Sequence, residues 1–242
     1  MTVNANPYIV SSGLVLCLDA YNARSWPGSG TIWYDASGQN NTASMYGTVP
    51  TSSDGGACFD FATVTGSGAA PASAASLGFT FVNNMVPTTG SFTLSAWVKN
   101  MPSANSQVTL LSNAGSADGY RWGPRLASTY VLTGPTYLET GLSYSSTLSS
   151  SLWYLITTVF DRSGTNSGGT PQWQQYVNTD FQTSVNMPAS QTAFSSTAPG
   201  IVRNPCCDLY TGKLSMLMIY NRALSAGEIT QNFNAYRGRY GI

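Results

Sequence analysis

SFTLSAWVK, residues 91–99, decides the fold class. Phe92, Leu94, Ala96 and Val98 fall on one face of this segment, and Ser91, Thr93, Ser95, Trp97 and Lys99 fall on the other. A period of two carried by aromatic and branched side chains marks a strand with one face in a core. Trp97, on the second face, is too large and apolar to face water alone. The pattern therefore predicts a second covering layer or a packed loop there, as a sandwich with long connections would provide.

Outward from this segment the same style recurs. Strands are predicted near 13–19 (GLVLCLD), 57–61 (ACFDF), 107–112 (QVTLLS), 128–133 (STYVLT), 152–160 (LWYLITTVF), 173–178 (WQQYVN) and 213–220 (KLSMLMIY), each bounded by Gly, Pro, Asn or Ser. One helix is predicted, over about 226–236. Ser225 and Glu228 form a capping box, and Ile229, Phe233 and Tyr236 recur at helical spacing as its packing face. This helix is expected to cover a sheet edge or a core opening, with LVLCLDA and LSMLMIY paired near the chain ends. GSGAAPASAASLG (66–78) reads as a surface loop, since both sides share one strand style, and residues 1–242 read as a single domain.

Composition narrows the chemistry. Of 242 residues, 10 are Lys or Arg and 10 are Asp or Glu, 8% in all, against roughly 25% in ordinary globular proteins. The net charge is zero, so no basic stripe exists to neutralise a phosphate backbone, and nucleic acid is excluded as a partner. The 32 Ser, 27 Thr, 17 Asn and 24 Gly give a surface solvated by hydroxyls and amides, while 42% hydrophobic residues are enough to fold it. Histidine is absent, which removes imidazole bases, imidazole zinc sites and Ser-His-Asp or Cys-His catalysis together. No run reaches the roughly 20 apolar residues of a membrane span, and MTVNANPYIV has no signal-peptide pattern, so a soluble chain is expected. Cys17 and Cys58 sit in strand-like runs as buried thiols. Cys206 and Cys207 are adjacent, fit no metal spacing and are expected free.

At this point several blocks together resemble the laminin-G-like, concanavalin A-like lectin/glucanase superfamily, in the form of single-domain modules common in bacterial and phage proteins. The blocks are GLVLCLDAYNARSWPGSGTIWYDASGQNNTA (13–43), SFTLSAWVK (91–99), LWYLITTVFD (152–161), QQYVN (174–178) and GKLSMLMIYNRALSAGEITQNFNAYRGRYGI (212–242). The resemblance implies an all-β, two-sheet antiparallel jelly-roll sandwich with one short C-terminal helix, its first and last long strands side by side.

A fold of this kind hosts glycosidases, lyases, lectins and structural modules, so residues must decide the function. A retaining glucanase needs two carboxylates about 5 Å apart. Here Glu228 belongs to the capping box, Glu139 stands alone, and the eight aspartates are scattered singly, so no enzyme is expected. Asp35 in YDASGQNN could belong to a calcium loop or to a plain turn, and the turn is preferred, leaving no metal or cofactor. The candidate binding residues are Tyr120, Arg121, Trp122 and Arg125 in GYRWGPRL, where Gly119, Gly123 and Pro124 suggest a presenting loop. Core packing, protein contact and sugar stacking all remain open for Trp122. Trp26 and Trp33 read as structural. The expected role is a non-enzymatic virion component, capsid-decorating or tail-associated in a tailed phage, oligomeric in the particle and bound to its capsid or tail lattice. The alternative is a carbohydrate-binding module for host surface glycans.

Overall fold

The structure is a computed structural model that describes residues 8–62, 78–103, 108–112, 120–133, 138–187, 200–201 and 210–242, with side chains 132–140 outside that set. The 66–78 loop up to residue 77, Cys206, Cys207 and the Glu139 side chain lie outside the described residues. One antiparallel sheet contains β1 (Leu14–Asp19), β4 (Thr51–Ser52), β5 (Cys58–Asp60), β7 (Phe92–Lys99), β12 (Tyr154–Asp161), β13 (Gln172–Val177), β14 (Asp180–Asn186) and β16 (Lys213–Tyr220). The other contains β2 (Ile32–Trp33), β3 (Ala43–Tyr46), β6 (Gly78–Phe81), β8 (Leu111–Ser112), β9 (Tyr120–Pro124), β10 (Ser128–Thr133), β11 (Leu138–Ser143) and β15 (Gly200–Ile201). Neighbours in the first run β14-β13-β12-β7-β16-β5-β4, and in the second β11-β10-β9-β8-β15-β6-β3-β2. The architecture is a two-sheet sandwich of the jelly-roll type.

The alternation in β7 shows how sequence sets the layers. Phe92, Leu94, Ala96 and Val98 enter the core between the sheets, with the Phe92 ring stacked 4.1 Å from Phe160 of β12. Trp97 points to the opposite face and is fully buried. Its cover is the predicted helix, α1 (Ala226–Tyr236), and the 3-10 turn Arg237–Tyr240 that follows. Tyr240 stacks 4.0 Å from Trp97 and Phe233 lies 5.6 Å away. α1 thus covers the outer face of the first sheet, not an edge or a core opening. Burying a ring of that size contributes about 2–3 kcal/mol.

α1 begins as the capping box requires. Ser225 Oγ accepts from the Glu228 N–H, and the Ser225 N–H donates to Glu228 Oε2 at 2.9 Å. Arg222 grips the same carboxylate with two nitrogens at 2.9 and 2.6 Å, which holds it well below its ordinary range, at about 2. A strap at the other end of the chain lies against the helix: the Val10 N–H donates to buried Asn232 Oδ1 at 2.9 Å, and Tyr220 Oη donates to Val10 O at 3.1 Å. As the resemblance implied, β1 pairs with β16, Cys17 opposite Met218. Among the described residues no helix is long and apolar enough to cross a membrane.

Candidate functional site

GYRWGPRL does not present a loop. Tyr120–Pro124 is β9, a central strand of the second sheet, paired with β10 on one side and β8 on the other. Tyr120 and Trp122 are fully buried, and Arg121 and Arg125 are buried as well, so none of the four gives a stacking platform. Trp122 reaches between the sheets, where its indole N–H donates to Thr158 Oγ1 at 2.8 Å and Thr158 donates to Gln175 Oε1 at 2.7 Å. The glycine that suggested a loop has another cause. A Cβ at Gly123 would lie 1.9 Å from the Val108 carbonyl oxygen, so Gly123 marks a close approach of two backbones inside a sheet. Arg125 lies over the Tyr130 ring, 4.7 Å from its centre.

The other singled-out residues are structural. Trp26 and Trp33 pack on Phe59 at 4.9 and 4.6 Å in the inter-sheet core. The Asp35 carboxylate accepts from the N–H groups of Cys17, Ser37 and Asn41 at 2.8–3.0 Å and from the Ser37 hydroxyl at 2.7 Å. These four donors make Asp35 the organiser of its turn and tie that turn to β1. Among the described residues no three Cys, Asp or Glu side chains gather as a metal site.

An open groove of about 640 Å³ lies instead at the end of α1, lined by Tyr21, Asn234, Ala235, Tyr236, Arg237, Gly238, Arg239 and Ile242. It is built by Asp19, the last residue of β1. The buried Asp19 carboxylate accepts from the Tyr21 N–H at 3.0 Å and holds Arg239 bidentately, at 2.7 and 3.1 Å. Burial alone would lower the Arg239 pKa, but Asp19 outweighs it and the guanidinium is held more firmly charged. That guanidinium lies 4.6 Å from the Tyr21 ring and 4.8 Å from the Tyr236 ring, within cation–π range of both. Tyr21 also rests on Gly56, at φ +89°, where a Cβ would come within 2.5 Å of the ring. The ring is braced, yet it stays 57% exposed.

Two residues before Gly56, Asp54 accepts from Lys99 and Lys213 Nζ at 2.9 Å each and from the Trp153 indole N–H at 3.0 Å. Burial works against the carboxylate, but these donors outweigh it and hold Asp54 at about 2. Both lysines of the chain are thus matched by acids, with Asp60 a further 3.8 Å from Lys213. The groove itself offers an aromatic face, the Asn234 amide and the Arg237 guanidinium, and no Asp or Glu side chain among its lining residues. Such a set can stack and hydrogen-bond a polyhydroxylated ring. Sequence reasoning missed Tyr21 and Arg239 because their link through Asp19 spans 220 positions. The available signal was that LDAY and YRGRY lie within the first and last blocks of one resemblance.

A laminin G family model of the concanavalin A-like lectin/glucanases superfamily matches residues 72–230. A comparison with curated protein sequences gave no match. Among solved structures, the binding domain of Paraclostridial Mosquitocidal Protein 1 superposes with a TM-score of 0.65 at 17% identity, over 93% of this chain and 52% of that one. A structure of botulinum neurotoxin type C, whose cell entry depends on interaction with two ganglioside molecules, gives 0.67 at 15% identity, over 94% and 52%. Domain 4 of AbnA, a GH43 extracellular arabinanase from Geobacillus stearothermophilus in complex with arabinotriose, gives 0.63 at 13% identity, over 91% and 98%. The chain therefore spans about half the length of the toxin domains and nearly all of the arabinanase domain. At these identities the likeness is one of fold. The sandwich, the pairing of its first and last long strands and the match over 72–230 lead to one assignment: the chain belongs to the concanavalin A-like lectin/glucanases superfamily.

Proposed function

We propose that the chain is a non-catalytic glycan-binding module whose saccharide platform is the Tyr21 groove. One observation carries this reading: a tyrosine ring 57% exposed, braced by Gly56 and Arg239, in an open groove with no Asp or Glu side chain among its lining residues. A braced ring loses little freedom on binding, and an amide and a guanidinium beside it supply hydrogen bonds to hydroxyls. The superfamily's lectins and the arabinotriose complex of the AbnA domain lend the reading support. Screening on a glycan array, followed by calorimetry on the best neutral and acidic oligosaccharides, tests it. Tyr21→Ala is expected to lower affinity at least ten-fold with an unchanged melting curve. Binding that survives this change, or none on the array, overturns the reading.

The finer setting within this proposal is a virion surface, with the module attached to a capsid or tail lattice as an oligomer. Support comes from the likeness of its blocks to modules in phage structural proteins and from a neutral surface with only 8% charged residues. Electron microscopy of the source particle with a labelled antibody tests it. Repeated labelling of shell or tail is the expected result, and unlabelled particles would remove the virion from the proposal.

A further inference from the structure

Gly238 lines the groove, and the usual reasons for a glycine do not apply to it. It is exposed within the 3-10 turn Arg237–Tyr240, and its φ lies outside the left-handed region, unlike Gly241 at φ +75° and Gly56 at φ +89°. A Cβ built on Gly238 meets no atom within 4 Å, so close packing does not exclude a side chain there. Flexibility is not its use either, because the turn is fastened on both sides. Before it, the Arg237 N–H donates to Phe233 O and continues α1. After it, Arg239 is held by Asp19 at 2.7 and 3.1 Å, and Tyr240 stacks 4.0 Å from Trp97 and donates to Ser215 Oγ at 3.0 Å. A glycine in a helical turn loses more backbone entropy on folding than other residues do, so the fold is weakened by it and gains nothing in return. The remaining use of a bare backbone is to let a ligand lie against it.

Resting on the glycan reading above, we infer that Gly238 is a specificity-determining contact of the groove: the saccharide stacked on Tyr21 also lies against the Gly238 backbone, and the missing side chain sets how wide a ring can enter. The two contacts are tied through one residue. Arg239 follows Gly238 in the chain, and its guanidinium lies 4.6 Å from the Tyr21 ring. The spacing of platform and backbone is therefore set before a saccharide arrives, which keeps the ordering cost of binding low. The competing account makes Gly238 a surface position where any residue would serve. Gly227 supplies the comparison, since a Cβ there also meets no atom within 4 Å, yet it stands in the first turn of α1 and is not a lining residue of the groove.

The test compares wild type, Gly238→Ala, Gly238→Leu and Gly227→Ala as full chains on one glycan array, then by calorimetry with the oligosaccharide that gives the strongest array signal, with melting curves alongside. Gly238→Leu is expected to bind about ten-fold more weakly or worse, and Gly238→Ala roughly three-fold more weakly, as extra carbons are forced into the contact. Neither should melt below wild type, because the side chain meets no protein atom. Gly227→Ala should bind as wild type does. Undiminished affinity in Gly238→Leu, with binding still dependent on Tyr21, overturns the inference and leaves the platform standing. Weaker binding that Gly227→Ala shares, or that comes with a lower melting temperature in both Gly238 variants, overturns it too, since a disturbed helix end and not a lost contact would be the cause. A blank array, or binding indifferent to Tyr21→Ala, removes the glycan reading and takes this inference with it.

Discussion

Two places in this molecule set aromatic rings and arginines among glycines, and they end in opposite environments. In β9, Gly123 is there because the Val108 carbonyl leaves no room for a side chain, so the strand closes into a sheet and Trp122 is sealed between layers. At the groove, Gly56 is there because the Tyr21 ring lies over its backbone, so the loop is shaped around a ring that stays in water. A glycine beside an aromatic thus has two meanings, a backbone neighbour or a ring neighbour, and only three-dimensional partners separate them. The arginines follow the same division: Arg121 and Arg125 are buried with β9, while Arg237 is exposed at the end of α1.

This contrast can be broken experimentally, and the largest effect is expected at Gly123. Gly123→Ala puts a Cβ 1.9 Å from a backbone oxygen, and a loss above about 4 kcal/mol, or no soluble protein, should follow. A mild loss in chemical denaturation would mean that β9 is not clamped between β8 and β10 in solution. Phe233→Ala empties the cover over Trp97 and should cost about 3–4 kcal/mol by the same measurement. A change below about 1 kcal/mol would detach α1 from the outer face. Trp122→Phe keeps an aromatic ring but a smaller one, and removes the donor to Thr158, for about 2–3 kcal/mol and no change in glycan affinity. If it abolished glycan binding, β9 and not the groove would be the site.

Acid should weaken the outer face more gently. Asp54 and Glu228 are both held at about 2, below their ordinary values of 3.8 and 4.5. Their ion pairs thus contribute fully above about pH 4.5 and are lost as pH falls through 2. Both groups are partly exposed, so each is worth about 1 kcal/mol or less. Melting curves from pH 5 to pH 2 should fall less steeply in Asp54→Asn than in wild type; identical slopes would place the lysines elsewhere in solution. The smallest signal concerns the thiols under the cover. Burial first, then the charges of Asp19 and Asp35, pushes Cys17 up to about 12, and burial pushes Cys58 up to about 11. Iodoacetamide at pH 8 should leave both unmodified by mass spectrometry until denaturant is added. Rapid native labelling would mean that the outer face opens.

The layers were legible in the sequence because strand periodicity is local. The alternation in 91–99 located both faces of β7 and demanded a cover for Trp97, and the capping box placed α1 at its observed residues. Short pairings such as β2 with β3 and β15 with β6 were not legible, since two-residue strands carry no period. β9 was missed for a different reason, in that its Gly and Pro are turn formers by local rule and strand residues only by virtue of Val108. The groove was missed because its parts, Asp19, Tyr21, Gly56 and Arg239, come from three distant segments. Local chemistry writes elements into a sequence, whereas a site assembled across the fold leaves only its residue types.

The strap and the β1–β16 ladder also bear on how the chain reaches this state. Val10 meets Asn232 across 222 positions, and among the described residues the ladder partner of β1 is β16. During synthesis the apolar run Leu14–Asp19 must therefore wait for Lys213–Tyr220 to emerge before this ladder can form. Closing so long a loop is entropically slow, which places the molecule among sluggish folders and makes that waiting strand its most exposed moment for aggregation. Once closed, the two ends hold each other like a buckle. Unfolding from either end must first release the other, so the native state should be slow to leave as well as slow to form.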